Sequence, residues 1–217
     1  MRKNAILFVL FFCATVIAVG QTGSDPEAKQ ILDKVSAKFK TYKAVQSAFN
    51  LKVEDAKGKL QGNKTGTVFM KGPKYRVTMQ GQEIFCDGKN VWTYDKSSNE
   101  VTITKVDPTA TTITPQKLFT NFYDKDFLYK LNGEKKVGAK TIQEIEMTPT
   151  DKGKTFHKVY VYVDKGTQAI YSASILEKNG NKYTYTVNSM NGNAAVNDNQ
   201  FVFEKAKYPG VEEVDLR

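Results

Sequence analysis

The chain is 217 residues long, 40% hydrophobic and 12% aromatic, enough for one domain with a real core. Lys and Arg number 32 against 23 Asp and Glu, a net charge of +9 that would suit an anionic membrane surface or acidic partners. These charges stand singly rather than in blocks, and no groove-reading motif accompanies them, so nucleic acid is not expected as a partner.

Arg2 and Lys3 precede an uncharged apolar run from Ala5 to Val19, and Ala18-Val19-Gly20 puts small residues where a signal peptidase reads them. The run is shorter than the roughly 18–20 residues that a spanning helix needs. The pattern predicts a signal peptide over residues 1–20, cleavage before Gln21 and one mature domain over 21–217. Cys13 lacks the small residues that a lipoprotein signal places before its cysteine. The mature chain then keeps Cys86 alone, which rules out an internal disulfide and leaves stability to burial.

A helix comes first. Ser24 and Glu27 stand at capping-box spacing, Pro26 suits a first turn, and Ile31, Leu32, Val35 and Phe39 form an apolar stripe. After Val45 the period changes to two, with Phe49, Leu51 and Val53 alternating with polar residues. Short strand patterns follow at 66–71, 74–80, 82–86, 90–94 and 100–105, separated by turn-sized gaps such as Gly72-Pro73 and Asp87-Gly88. Thr114-Pro115 opens a second short helix with Leu118, Phe119 and Phe122 as its stripe. Strand patterns resume at 127–131, 141–148, 156–164, 168–178 and 181–190, with a last fragment at Phe201–Phe203. About eleven strands with turn-sized gaps predict an antiparallel meander, curved into a sheet or partial barrel.

Aromatic residues are frequent in these strands. A barrel of about eleven strands is wider than side chains readily fill, so its interior must hold a helical plug or something apolar. Catalytic groupings are missing. His157 is the one histidine, in a strand, and nothing in the spacing brings it to Cys86. There is no Cys/His cluster for zinc, and Gly88-Lys89 lacks the rest of a phosphate loop. The reading is a binding protein, not an enzyme, with no cofactor.

The order of motifs carries a resemblance. An amphipathic helix is followed by Phe49-x-Leu-x-Val, by Lys71-Gly72-Pro73-Lys74-Tyr75-Arg76, by Asp87-Gly88-Lys89-Asn90-Val91-Trp92-Thr93-Tyr94, and by Thr114-Pro115 opening a short helix. This resembles the LolA family, periplasmic carriers of outer-membrane lipoproteins, over essentially the whole mature chain. The resemblance implies an incomplete, half-open antiparallel β-barrel, mainly β with two to three helices and a helical lid. It also implies a monomer in the periplasm that takes lipid-modified proteins from an inner-membrane ABC transporter to an outer-membrane receptor or to the membrane itself. A related lipid-binding or lipid-sensing envelope module is the alternative. Phe49, Leu51, Phe69, Tyr75, Phe85, Trp92 and Tyr94 are expected to line the acyl cavity, with Leu118, Phe119 and Phe122 on the lid. The family's arginine before the turn proline, which hydrogen-bonds the closed lid, is Gly72 here, and Arg76 is the candidate to replace it.

Overall fold

The computed structural model describes residues 24–107 and 126–217. Helix α1 spans Pro26–Lys40, and twelve strands follow: β1 Val45–Glu54, β2 Leu60–Lys71, β3 Lys74–Met79, β4 Gln82–Cys86, β5 Asn90–Asp95, β6 Glu100–Lys105, β7 Phe127–Val137, β8 Lys140–Pro149, β9 Phe156–Asp164, β10 Ala169–Glu177, β11 Lys182–Asn191 and β12 Glu212–Asp215. They form a single sheet in the order β12-β6-β5-β4-β3-β2-β1-β11-β10-β9-β8-β7. No pairing joins β7 to β12, so the barrel stays incomplete, as expected.

Three details depart from the sequence reading. Among the described residues there are twelve strands where about eleven were expected, and β12 pairs with β6 in parallel while the other neighbours run antiparallel. Phe201–Phe203 is not a strand, because Asp198–Phe201 is a short 3-10 helix capped by the Asn197 side chain. β7 continues through Asn132 and Gly133 to Val137, with a register shift between Leu131 and Gly133. Helix α1 stands where it was expected, and two 3-10 turns lie in the C-terminal segment. The expected signal peptide and the expected lid with Leu118, Phe119 and Phe122 lie outside the described residues.

The N-cap of α1 is Asp25, one residue beyond the expected Ser24. Its Oδ1 accepts from Glu27 N at 2.8 Å and Ala28 N at 3.4 Å, satisfying donors that a helix start leaves free. Its Oδ2 accepts from Leu131 N at 3.0 Å, and its own N–H donates to Tyr129 O at 2.9 Å. The Leu131 N–H is the largest of the influences that hold this carboxyl below its usual range. One aspartate thus starts the helix and fastens it to β7. Ala28, Ile31, Leu32 and Val35 then face the sheet.

Residues paired directly across neighbouring strands share a face. One face, here the helix face, carries Phe127, Tyr129, Ile145, Met147, Val159, Val161 and Val163 beneath α1, then continues into Phe49, Leu51, Val68, Met70, Tyr75 and Val77. Behind β7–β11 the far face is mainly polar, with rows such as Tyr162, Ser172 and Thr186, Leu128 and Ile142 being exceptions. Behind β4–β6 it is apolar and is covered by the C-terminal segment.

Candidate functional site

The wall of the helix face is built at β2-β1-β11-β10. Phe49 stands opposite Gly66 on one side and Val187 on the other, and Leu51 stands between Lys64 and Tyr185. A Cβ on Gly66 would lie 2.5 Å from Phe49 Cζ, so glycine there makes room for the ring. Phe49 and Tyr185 are 6.1 Å apart, tilted by 50°. Ile175, Tyr183, Tyr185 and Val187, with Val53 and Met79, are half-buried against this core, so apolar surface continues beyond the area that α1 covers. Burial pushes the Tyr185 hydroxyl up, with Tyr183 and Glu177 adding to it, so the phenol stays neutral on this wall. The three β11 residues were not among the expected site residues. The alternation of Tyr183, Tyr185 and Val187 with Thr184 and Thr186 was the signal that could have found them.

At β3-β4 the helix face carries Tyr75 beside Cys86, both buried. Burial also raises the Tyr75 and Cys86 ionisations, so both remain uncharged there. Among the described residues Cys86 Sγ lies against Pro73 O at 3.9 Å and accepts from Gly88 N at 3.4 Å. His157 is exposed on β9, and several strands of the sheet separate it from Cys86 on β4. No cluster of three or more potential metal ligands occurs among the described residues.

The far face holds a second aromatic cluster. Phe85, Trp92, Tyr94, Val101 and Ile103 pack with Phe203, Val211 and Tyr208. Ring centroids of Phe85 and Phe203 are 5.7 Å apart, those of Tyr94 and Tyr208 4.6 Å, and those of Phe203 and Tyr208 4.4 Å. The seven residues expected to share one cavity therefore separate. Phe49, Leu51 and Tyr75 lie on the helix face, whereas Phe69, Phe85, Trp92 and Tyr94 lie on the far face. Side chains alternate along a strand, so a step of one residue reverses the face. Tyr75 and Arg76 are such neighbours, and Arg76 is opposite both Phe69 and Phe85.

The sharpest motif is turn chemistry. Asp87 Oδ1 accepts from Lys89 N and Asn90 N, both at 2.7 Å, and fixes the turn from β4 to β5. Gly88 has φ +94°, and a Cβ there would stand 3.1 Å from Pro73 Cγ. The Asp-Gly-Lys turn and the Gly72-Pro73 turn thus pack against each other.

The model of the family "Outer membrane lipoprotein carrier protein LolA" matches residues 40–204, well over half of the chain. The chain belongs to the LolA family. Two curated relatives, each named outer-membrane lipoprotein carrier protein, are similar over nearly their full length. That of Halorhodospira halophila is 24% identical over 99% of this chain and 97% of its own, and that of Pseudomonas putida 24% over 94% and 96%. An uncharacterized conserved protein from Thermus thermophilus has a similar fold, with TM-score 0.57 and 14% identity over 87% of this chain and 99% of that one.

Within this LolA-family chain the arginine expected to replace the latch is engaged elsewhere. Arg76 donates to Glu83 Oε2 at 2.8 Å, and its guanidinium stands 4.7 Å from the Phe85 ring centre, all on the far face. Lys96 also reaches Glu83 at 3.3 Å, and Tyr208 donates its hydroxyl to Glu83 at 3.2 Å. Burial disfavours the charged Glu83, but Arg76 and Lys96 outweigh it and hold the carboxyl below its usual range. Arg76 therefore holds Glu83, and Glu83 in turn accepts from Tyr208 of the C-terminal segment. Gly72 adopts φ +55°, a conformation that costs arginine more than glycine, although a Cβ there would meet nothing within 4 Å.

Proposed function

We propose that this protein is an exported, periplasmic carrier that takes the acyl chains of lipoproteins against the helix-face wall of its open sheet and moves them from the inner to the outer membrane. The observation that carries the reading is the continuation of apolar side chains past α1, from Phe49 and Leu51 to Tyr185, Val187 and Ile175, on a sheet of the LolA family that does not close. An acyl moiety carries tens of CH₂ groups, each worth about 0.8 kcal/mol to keep from water. A wall without fixed charge among its buried members offers that shelter and forms no directional bonds that would hold the cargo fast. Transfer moves a ligand and breaks no bond, so the proposal includes neither reaction nor cofactor. It includes an inner-membrane transporter as donor, an outer-membrane receptor or the membrane as acceptor, and a monomeric carrier. Its wall is Phe49, Leu51 and Tyr75 together with Tyr183, Tyr185 and Val187, with residues 114–122 as lid.

The test is isolation of the protein from its native envelope, followed by mass spectrometry of what is bound. Co-purifying lipoproteins that are lost in Phe49→Glu support the carrier. Free lipids in their place would move the assignment to a lipid-binding or lipid-sensing module of this fold.

A further inference from the structure

Three turns meet at one end of the sheet: residues 55–59 between β1 and β2, 150–155 between β8 and β9, and 178–181 between β10 and β11. They touch. A Cβ on Gly180 would lie 2.4 Å from Ala56 Cβ, Lys178 Nζ donates to Lys152 O, and Lys178 N donates to Thr155 O at 2.9 Å. The turn residues hold five lysines against two carboxylates, Asp55 and Asp151. Both carboxylates are turned to their own backbone, Asp55 accepting from Lys57 N and Lys59 N at 2.9 and 3.0 Å and Asp151 from Gly153 N at 2.7 Å. Lys57, Lys59, Lys152 and Lys154 form no ion pair among the described residues. At the strand ends Glu54 is already paired with Lys52 and Lys182, and Glu177 accepts from Asn179. Beside these lysines stands Leu60, 53% exposed.

We infer that this end of the sheet is a docking surface for the anionic phospholipid headgroups of a bilayer. A lysine close to such a surface adds about fivefold in affinity, and an apolar side chain among the lysines enters the boundary between headgroups and acyl chains. Ammonium groups on long stems meet phosphates without a fixed geometry, which suits a fluid surface better than a structured partner. The position fits the path of a ligand as well. On the helix face the apolar wall ends in the row Ile175, Tyr183 and Val53, within two residues of the turns. Acyl chains leaving that row at a docked bilayer would stay out of water, and in this purpose the inference rests on the carrier reading.

The experiment is co-sedimentation of the cargo-free protein with vesicles of phosphatidylethanolamine and phosphatidylglycerol, and with vesicles of phosphatidylcholine alone. Binding to the anionic vesicles only is expected, fading as salt approaches about 1 M, where screening acts within roughly 3 Å. Lys57→Glu with Lys59→Glu should weaken binding by at least about tenfold, and Leu60→Ser by about tenfold. Lys89→Glu with Lys105→Glu makes the same charge change at the other end of the sheet and should leave binding nearly as it was. No binding to anionic vesicles at low salt, or equal losses in the two double variants, would overturn the inference. Vesicles left unbound while Lys57→Glu with Lys59→Glu alone stops delivery to isolated outer membranes would also overturn it, and would make an acidic protein the partner. Because cargo is absent, this test and the search for co-purifying lipoproteins fail separately.

Discussion

The two ends of the sheet are insulated on opposite sides. Across β7–β10 most apolar side chains point to the helix face, where Ile145, Met147 and Val159 are completely buried, and the far face is mainly Ser, Thr, Tyr and charged residues, with Leu128 and Ile142 as exceptions. Across β4–β6 the apolar side chains of Phe85, Trp92, Tyr94, Val101 and Ile103 point the other way, beneath the C-terminal segment. There the helix face carries the buried Cys86, with Ile84, Val91, Thr93 and Thr102 half-buried. The strands between, β11 and β1–β3, keep most of their apolar residues on the helix face, Phe69 excepted, and on β11 Tyr183, Tyr185 and Val187 are only half-buried there. A single sheet thus has two structural cores on opposite faces, and the half-buried residues of β11 belong to the wall proposed for the acyl chains.

Substitutions that treat the two faces differently test this division. Trp92→Glu has the largest expected effect. It places a carboxylate in the buried far-face cluster and should cost several kcal/mol, about 3–5, read as a lowered denaturation midpoint. A stable Trp92→Glu protein would break the assignment of Trp92 to a core. Phe203→Ala should cost about 3 kcal/mol by opening a cavity against Phe85, Tyr94 and Tyr208, while its folded fraction still binds cargo. Loss of cargo binding without loss of stability there would move the ligand to the far face. Gly66→Ala should cost about 1–3 kcal/mol, because its Cβ would meet Phe49, Met79 Cγ and the Thr78 carbonyl oxygen. Adding Phe49→Leu should recover part of the loss, since the backbone oxygen stays, and a double-mutant cycle measures the coupling.

The smallest effect concerns acid. Asp198 accepts from Lys71 and Lys74, both at 2.7 Å, and these lysines bring its pKa down to about 2. A carboxylate with a depressed pKa in the folded state contributes stability that is present above its ordinary value of 3.8 and is lost as the pH falls through about 2. The 3-10 turn at Asp198–Phe201 should therefore loosen from the β2–β3 hairpin over that window, seen as amide shifts of Asn199 and Gln200. Because Asp198 is exposed, added salt should shrink the effect. An unaltered spectrum between pH 4 and pH 2 would remove the clamp from the account.

Much of this architecture was legible in the sequence. The stripe Ile31, Leu32 and Val35 placed α1, and Gly72-Pro73 and Asp87-Gly88 placed turns whose chemistry depends on local residues alone. The family motif was legible for the same reason, and in the structure it specifies two turns that touch rather than a ligand site. Facing was not legible. An aromatic residue in a strand reads the same whether it packs against α1 or beneath Phe203 and Tyr208, more than a hundred residues further along the chain. β12 was missed because Glu212, Glu213 and Asp215 lack the apolar alternation of a strand, and its pairing with β6 is settled by where the preceding Val211 and Tyr208 pack. The N-cap was misplaced by one residue because serine and aspartate cap equally well, and only contact with β7 distinguishes Asp25 from Ser24.

The role of Asp25 also bears on how the molecule avoids joining copies of itself. An unclosed sheet keeps two edges, and these two differ in charge: β12 carries Glu212, Glu213 and Asp215, whereas β7 carries Lys130, Lys135 and Lys136. Oppositely charged edges invite copies to add end to end into a fibre. Asp25 occupies the Leu131 N–H and the Tyr129 carbonyl of β7, so an incoming strand finds two of the groups it would pair with already taken. The residue that begins the helix also acts as an edge guard, and a chain whose α1 came loose would expose its grease and its ladder together.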